Sequence, residues 1–243
     1  MTPAKRRRKI AAAAGVLLVL AAIVAAMVMK SPESALSPRP ASERPQLLLL
    51  TSLPILFPEG MSLDAKAPPV LDALRSRYAV VPISVANAAS LDRQRLLLMA
   101  QPQAQPGEAL VELDAWVRGG GRVLLLADPA LEWPSERPLG SLLRPPLAFP
   151  DTGLLTHWGL RLDAPDALGP KTIEIRGAAV RTASPGELVA TAANCSVESG
   201  FIGRCDIGKG KATVIADADF IDRAGSPSAN LGLLLGELGR LEH

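Results

Sequence analysis

From residue 46 onward, short apolar runs alternate with amphipathic stretches. QLLLLTSL (46–53) is a continuous apolar run behind a polar one, the pattern of a strand buried on both faces. In PPVLDALRSRY (68–78), Val70, Leu71, Leu74 and Tyr78 share one side at helical spacing, with prolines tolerated at the start. AVVPI (79–83) and RLLLMA (95–100) read as further strands. PGEALVELDAWVR (106–118) aligns Leu110, Leu113 and Val117 as a second helix, and RVLLLAD (122–128) follows as a strand. Strands and helices taking turns at these lengths predict an α/β domain, a mostly parallel sheet flanked by helices.

The pattern then loosens. Residues 129–152 are proline-rich and predict a long surface excursion. DTGLLTHWGLRLD (151–163) predicts a short helix and a turn, and KTIEIRG (171–177) alternates as a strand. ELVATAANC (187–195) and FIGRCDI (201–207) predict a hairpin closed by Cys195 and Cys205. GKGKATVIAD (208–217) predicts another strand. The end, residues 228–243, predicts a helix with Leu231, Leu234, Leu235, Leu238 and Leu241 on one side, and Gly232 and Gly236 suit close packing on the sheet.

The three glycines at 119–121 raise the question of a phosphate-binding loop. In dinucleotide-binding folds such glycines follow a strand and open a helix, whose first amides meet the phosphate. Here they follow a helix and enter a strand, and Gly208 and Gly210 do the same before the later strand. Neither stretch matches G-x-x-x-x-G-K-[ST]. Both read as turns in which glycine reverses the chain without a Cβ clash.

The first thirty residues differ in kind. Lys5, Arg6, Arg7, Arg8 and Lys9 precede an uncharged run from residue 10 to 29, closed by Lys30. Twenty residues at helical rise span about 30 Å, the hydrocarbon thickness of a bilayer. The basic cluster stays on the cytoplasmic side and sends the rest across. This predicts one uncleaved transmembrane helix, with the domain on the far side of the membrane. A cleaved signal peptide has the same charge order, and Ala35 and Ala41 leave that alternative open. Residues 31–45, with four prolines and four serines, read as a tether, and residues 46–243 as the periplasmic domain.

The anchor segment also carries the apparent basicity. Residues 1–30 hold six of the 26 Lys and Arg and none of the 24 Asp and Glu, so the remainder carries 20 − 24 = −4. No basic domain is left to predict a nucleic-acid partner. Two cysteines in an oxidising compartment fit one disulfide.

Several phrases, in this order, resemble the auxiliary proteins of gliding-motility-type ABC transport systems: LLLMAQP before a helix, WVRGGGRVLLLADP, HWGLRLD, and GKGKATVIADADF before an N-x-x-x-x-L helix. The resemblance spans roughly residues 46–241 and implies a flavodoxin-like fold similar to class I glutamine amidotransferase domains. It implies a bacterial inner membrane with the domain in the periplasm and, as partners, the permease and ATPase of an ABC transporter. This chain departs from longer members in having one N-terminal apolar span and none at its C-terminus.

Catalytic chemistry of the amidotransferase kind needs a nucleophilic Cys on a strand-to-helix turn with a His in reach. Gln101, Pro102 and Gln103 follow the RLLLMA strand instead, and the two histidines are His157 and the last residue, His243. No catalytic set, metal site or cofactor is predicted. Asp128, Asp217 and Asp219 stand at strand carboxyl ends, where open α/β sheets bind ligands. If their strands are neighbours, these carboxylates converge on a cation or on ligand amines and hydroxyls. The alternative is that each accepts backbone N–H bonds to start a turn. Trp133, in the proline-rich excursion, is the leading stacking candidate ahead of Trp116 and Trp158. The leading expectation is a membrane-anchored, non-catalytic periplasmic domain that binds or assists an ABC-type transport system. A carboxylate- or metal-dependent periplasmic hydrolase and a structural envelope protein are the alternatives.

Overall fold

A computed structural model describes residues 37–56, 59, 69–221 and 229–243. The expected membrane span at residues 10–29 lies outside the described residues. Among those described, no helix is long and apolar enough to cross a membrane.

The chain is an α/β protein with a mostly parallel central sheet. Strands β1 (Gln46–Thr51), β2 (Ala79–Ile83), β3 (Leu96–Ala100), β4 (Arg122–Leu126) and β11 (Gly210–Ile215) run parallel, in the order β2-β1-β3-β4-β11. Two antiparallel strands, β10 (Ile202–Ile207) and β9 (Cys195–Glu198), extend the sheet beyond β11 to seven. Every residue of β3 is buried, as is Leu47 through Leu50 of β1, which is why these strands read as unbroken apolar runs.

Helices α1 (Pro69–Arg77), α2 (Ala88–Leu91), α3 (Gly107–Arg118) and α5 (Ala229–Leu241) cover the sheet. Helix α5 packs beside α1 and over β4. The core is built of Leu, Val, Ile and Ala, with Tyr78, Trp133, Trp158, Phe201 and Phe220 as its large aromatic members among the described residues.

Helix α3 ends in the turn its glycines predict. Gly120 has φ +118°, its N–H meets the Val117 carbonyl, and the Gly121 N–H meets that of Trp116. These are the paired bonds of a Schellman cap. A Cβ on Gly121 would lie 2.3 Å from the Trp116 ring, and one on Gly210 would lie 2.1 Å from the carbonyl oxygens of Gly121 and Val117. Gly210 is therefore required by close approach of two backbones.

The structure departs from the sequence reading in five places. Residues 38–45 are not free tether: Arg39 donates its N–H to the Ser76 carbonyl and its guanidinium to Glu242, and Ala41–Glu43 forms a 3-10 turn. The domain thus begins at Pro38 rather than residue 46. The segment 151–163 holds a helix, α4 (Leu154–Trp158), and then a strand, β5 (Leu160–Asp163), where a turn was expected. The strand at β6 (Pro170–Ile175) has an unforeseen partner, β7 (Ala178–Ala183), joined by Arg176 and Gly177, both at positive φ.

The predicted hairpin also pairs differently. β8 (Glu187–Ala190) joins β5, while β9 alone joins β10. Asn194 accounts for the break, because its amide donates to the Trp158 and Asp206 carbonyls and turns the chain before Cys195. Last, a Cβ on Gly236 would meet nothing within 4 Å, so that glycine does not mark close packing. Leu234, Leu235, Leu238 and Leu241 are buried as expected, while Leu231 is only partly so.

Candidate functional site

Ile215 of β11 is the register partner of Leu126 of β4. Two residues beyond each strand stand Asp217 and Asp128, side by side because the strands are parallel neighbours. Asp219 opens a 3-10 turn, Asp219–Ile221, just beyond. The structure therefore brings all three aspartates together, buried, at the carboxyl edge of the sheet.

Their oxygens are occupied by main-chain donors. Asp128 accepts from the Ala130 N–H at 2.8 Å on one oxygen, and from the Ala218 and Asp219 N–H groups at 2.9 and 3.4 Å on the other. Asp217 accepts from Phe220 at 2.7 Å and Ala183 at 3.2 Å. Asp219 accepts from Glu132 at 2.7 Å. Each carboxylate starts or clasps a turn, so the trio joins the ends of β4 and β11 to residues 130–132 and 183. Among the described residues, no group of three His, Cys, Asp or Glu is arranged to hold a metal ion.

Burial with like charges has an electrostatic consequence. Desolvation pushes the Asp128 carboxyl above its ordinary value, against the pull of its backbone N–H bonds. Asp217 is raised further, first by burial and then by the charge of Asp128. The Asp219 side chain works with the backbone N–H groups to lower the Asp128 carboxyl, without outweighing burial.

A fourth residue completes the edge, and sequence reasoning passed over its role. Gln101 follows β3, is fully buried, and holds a left-handed backbone at φ 42°. Its side-chain oxygen accepts from the Asp128 N–H at 2.9 Å, and its amide donates to the carbonyls of Asp128 at 3.1 Å and Pro146 at 3.0 Å. The hydroxyls of Ser52 and Thr51 at the end of β1 donate to the carbonyls of Gln101 and Ala100. The whole polar end of the Gln101 side chain is thus committed to main chain. These side-chain bonds hold a non-glycine residue in a left-handed backbone just beyond the strand. Nothing in the residue type announces such a backbone; only the position after an apolar strand hinted at it.

The other candidates lie apart. Trp133 is 8% exposed and packed in the core, which removes it as a stacking platform. Trp158 is buried and donates its indole N–H to Asp114 at 3.0 Å. Asp114 also binds Arg118 at 2.7 Å and faces the exposed His157 at 3.4 Å. Trp116 donates to the Gln94 carbonyl at 3.1 Å. Two open cavities, of about 490 and 450 Å³, lie at the amino edge of the sheet, one beside Trp116 and one beside Arg118, away from the carboxylates. Cys195 and Cys205 are bonded to each other as register partners of β9 and β10.

No protein-family model matches the chain, and no curated protein is similar in sequence. Solved structures share the fold. The mmIFT52 N-terminal domain aligns over 81% of this chain and 97% of its own, at 12% identity and a TM-score of 0.54. Cytoplasmic Protein STM1381 from Salmonella typhimurium LT2 aligns over 81% and 99%, at 12% identity and a TM-score of 0.51. An exo-β-1,4-mannosidase, Op5Man5, from Opitutaceae bacterium strain TAV5 aligns over 82% of this chain at 10% identity and a TM-score of 0.47. The chain spans 36% of that enzyme's length. At these identities the likeness concerns the α/β fold alone.

Proposed function

We propose that this chain is a membrane-anchored, non-catalytic periplasmic domain that serves as a binding or auxiliary component of an ABC-type transport system. Residues 10–29 form its single span and the basic residues 5–9 keep the amino terminus cytoplasmic. The strand order 2-1-3-4-11 supports a flavodoxin-type sheet with the amidotransferase-like arrangement that the sequence motifs imply.

The observation that carries the non-catalytic reading is Gln101. In this architecture the end of β3 is where an acyl-transfer nucleophile would sit on a strained turn. Gln101 holds that backbone, but its amide is no nucleophile and is fully bonded. The neighbouring carboxylates are likewise spent on turns. What remains for function is binding by surface, delivered to a membrane complex by the anchor. The disulfide fits an oxidising compartment.

The test is fractionation of cells expressing the full chain, followed by mild detergent extraction and crosslinking. The chain is expected to resist carbonate extraction and to co-purify with membrane transport components, and removal of residues 1–30 is expected to abolish both. Recovery of the intact full chain in the soluble fraction would overturn the proposal.

A further inference from the structure

The parallel sheet sorts the charged residues by edge. Each parallel strand is preceded by basic residues: Arg44 before β1, Arg75 and Arg77 before β2, Arg93 and Arg95 before β3, Arg118 and Arg122 around the entry to β4, and Lys209 and Lys211 at β11. The three residues after each of these strands contain no Lys or Arg, and Asp128 and Asp217 fall among them. Because the five strands run the same way, one edge gathers the cations. Arg75, Arg93, Arg95, Arg118, Lys209 and Lys211 are all exposed there. Of the acids near that edge, Asp92, Asp114 and Asp206 are paired to Arg93 at 3.4 Å, Arg118 at 2.7 Å and Lys211 at 3.3 Å, Glu242 is paired to Arg39 at 2.8 Å, and Glu43 and Glu112 are exposed. This edge is basic although residues 31–243 as a whole carry 20 − 24 = −4.

The same edge is where the chain enters the domain. Arg39 is fastened there by Glu242 and by the carbonyls of Ser76 and Arg77. Lys30 and Pro38 are eight residues apart in sequence, a separation of at most about 28 Å when fully extended. In the anchored chain proposed above, this entry edge is the part of the domain that follows the span most closely in sequence.

We infer that the amino edge of the sheet is a docking face for anionic phospholipid headgroups of the membrane in which the chain is anchored. The inference rests on the anchor proposed above. It identifies the partner by charge: an array of exposed Arg and Lys, without a shaped pocket of buried donors, suits a field of phosphates rather than one small anion. Docking by this edge turns the carboxyl edge and the proline-rich excursion away from the bilayer, toward protein partners.

The experiment uses the full chain reconstituted in vesicles of phosphatidylcholine, with or without 30 mol% phosphatidylglycerol as an arbitrary working composition of about that value. The acylation rate of Lys209 and Lys211 by an impermeant amine reagent is followed by mass spectrometry. Lys171, exposed on β6, is the internal reference. We expect the two lysines to react about threefold or more slowly in anionic vesicles, Lys171 to be unchanged, and salt at several Debye-shortening steps to remove the difference. A variant carrying Arg93→Glu and Arg95→Glu should lose the protection while remaining anchored. Equal rates in both vesicle types, in a chain that resists carbonate washing, would overturn the docking face and leave the anchor standing. Loss of the chain on carbonate washing would overturn both. Protection by added duplex DNA on neutral vesicles, without protection by anionic lipid, would assign the face to nucleic acid instead.

Discussion

Gln101 and Asp128 hold each other across two strand ends: the Asp128 N–H donates to the Gln101 side chain, and that side chain's amide returns a bond to the Asp128 carbonyl. The exchange imitates one step of a β-ladder just where the ladder between β3 and β4 stops. It also leads into the excursion, since the same amide reaches Pro146 and the Phe149 N–H meets the Asp128 carbonyl at 2.6 Å.

Asp217 should reveal its raised pKa in the pH dependence of stability. A carboxyl with a folded value above its unfolded one releases its proton more readily when unfolded. Its contribution is therefore greatest below the unfolded value near 4 and declines as pH rises toward the folded one. Asp217→Asn removes that decline but leaves the Ala183 or Phe220 N–H poorly matched, at about 1–3 kcal/mol. Urea unfolding from pH 4 to 8 should show the gap between native and variant proteins narrowing as pH rises. A gap that widens contradicts the assignment.

Glu237 should behave in the opposite sense. It is fully buried on α5 and bound by Arg204 at 2.8 and 2.9 Å and by Arg176, which also grip Glu198. Despite burial, these arginines hold Glu237 below its ordinary value, and Arg176 first among its partners brings Glu198 down to about 2. Stability from this network is present above the unfolded value near 4.5 and is lost as pH falls toward 2. Glu237→Ala leaves two partly exposed arginines to Glu198 alone and should cost about 1.5–3 kcal/mol. A loss under 1 kcal/mol in chemical denaturation would contradict this account.

The glycine turns give a graded test of structure against phosphate binding. Gly210→Ala forces a Cβ against two backbone oxygens and should cost about 3 kcal/mol or more, whereas Gly121→Ala meets a movable Trp116 ring and should cost less, about 1–3 kcal/mol. Neither should change nucleotide binding, because none is expected. Calorimetric titration with ATP alongside the unfolding curves checks both halves.

The disulfide closes a short loop, with a sequence separation of 10 between Cys195 and Cys205. Replacing both cysteines by serine should lower stability by about 2–3 kcal/mol without changing the fold. A thiol assay on protein exported to the periplasm should find no free thiol before reduction; two titratable thiols would contradict an oxidised native state.

The parallel half of the fold was legible because burial on both faces writes strands as unbroken leucine runs and the crossover helices keep their 3.6 period. The convergence of Asp128 and Asp217 rested on a condition, that their strands be neighbours, and the register of β4 with β11 meets it. Illegible were features decided by distant partners. Residues 38–45 look like linker until Arg39 meets Glu242, 203 positions away. β8 alternates as well as β9 does, and only the turn at Asn194 separates their pairings. Trp133 sits among prolines yet is buried, because the excursion folds back on the sheet edge. The backbone of Gln101 has no signature in its residue type.

The account stands most directly on the unfolding free energy of Gln101→Ala in the otherwise native chain. Truncation strips partners from the buried Asp128 N–H and two carbonyls and leaves a void, so a loss of about 2–4 kcal/mol is predicted. A variant as stable as the native protein, or more so, would contradict the account by marking the position as strained for activity rather than committed to structure.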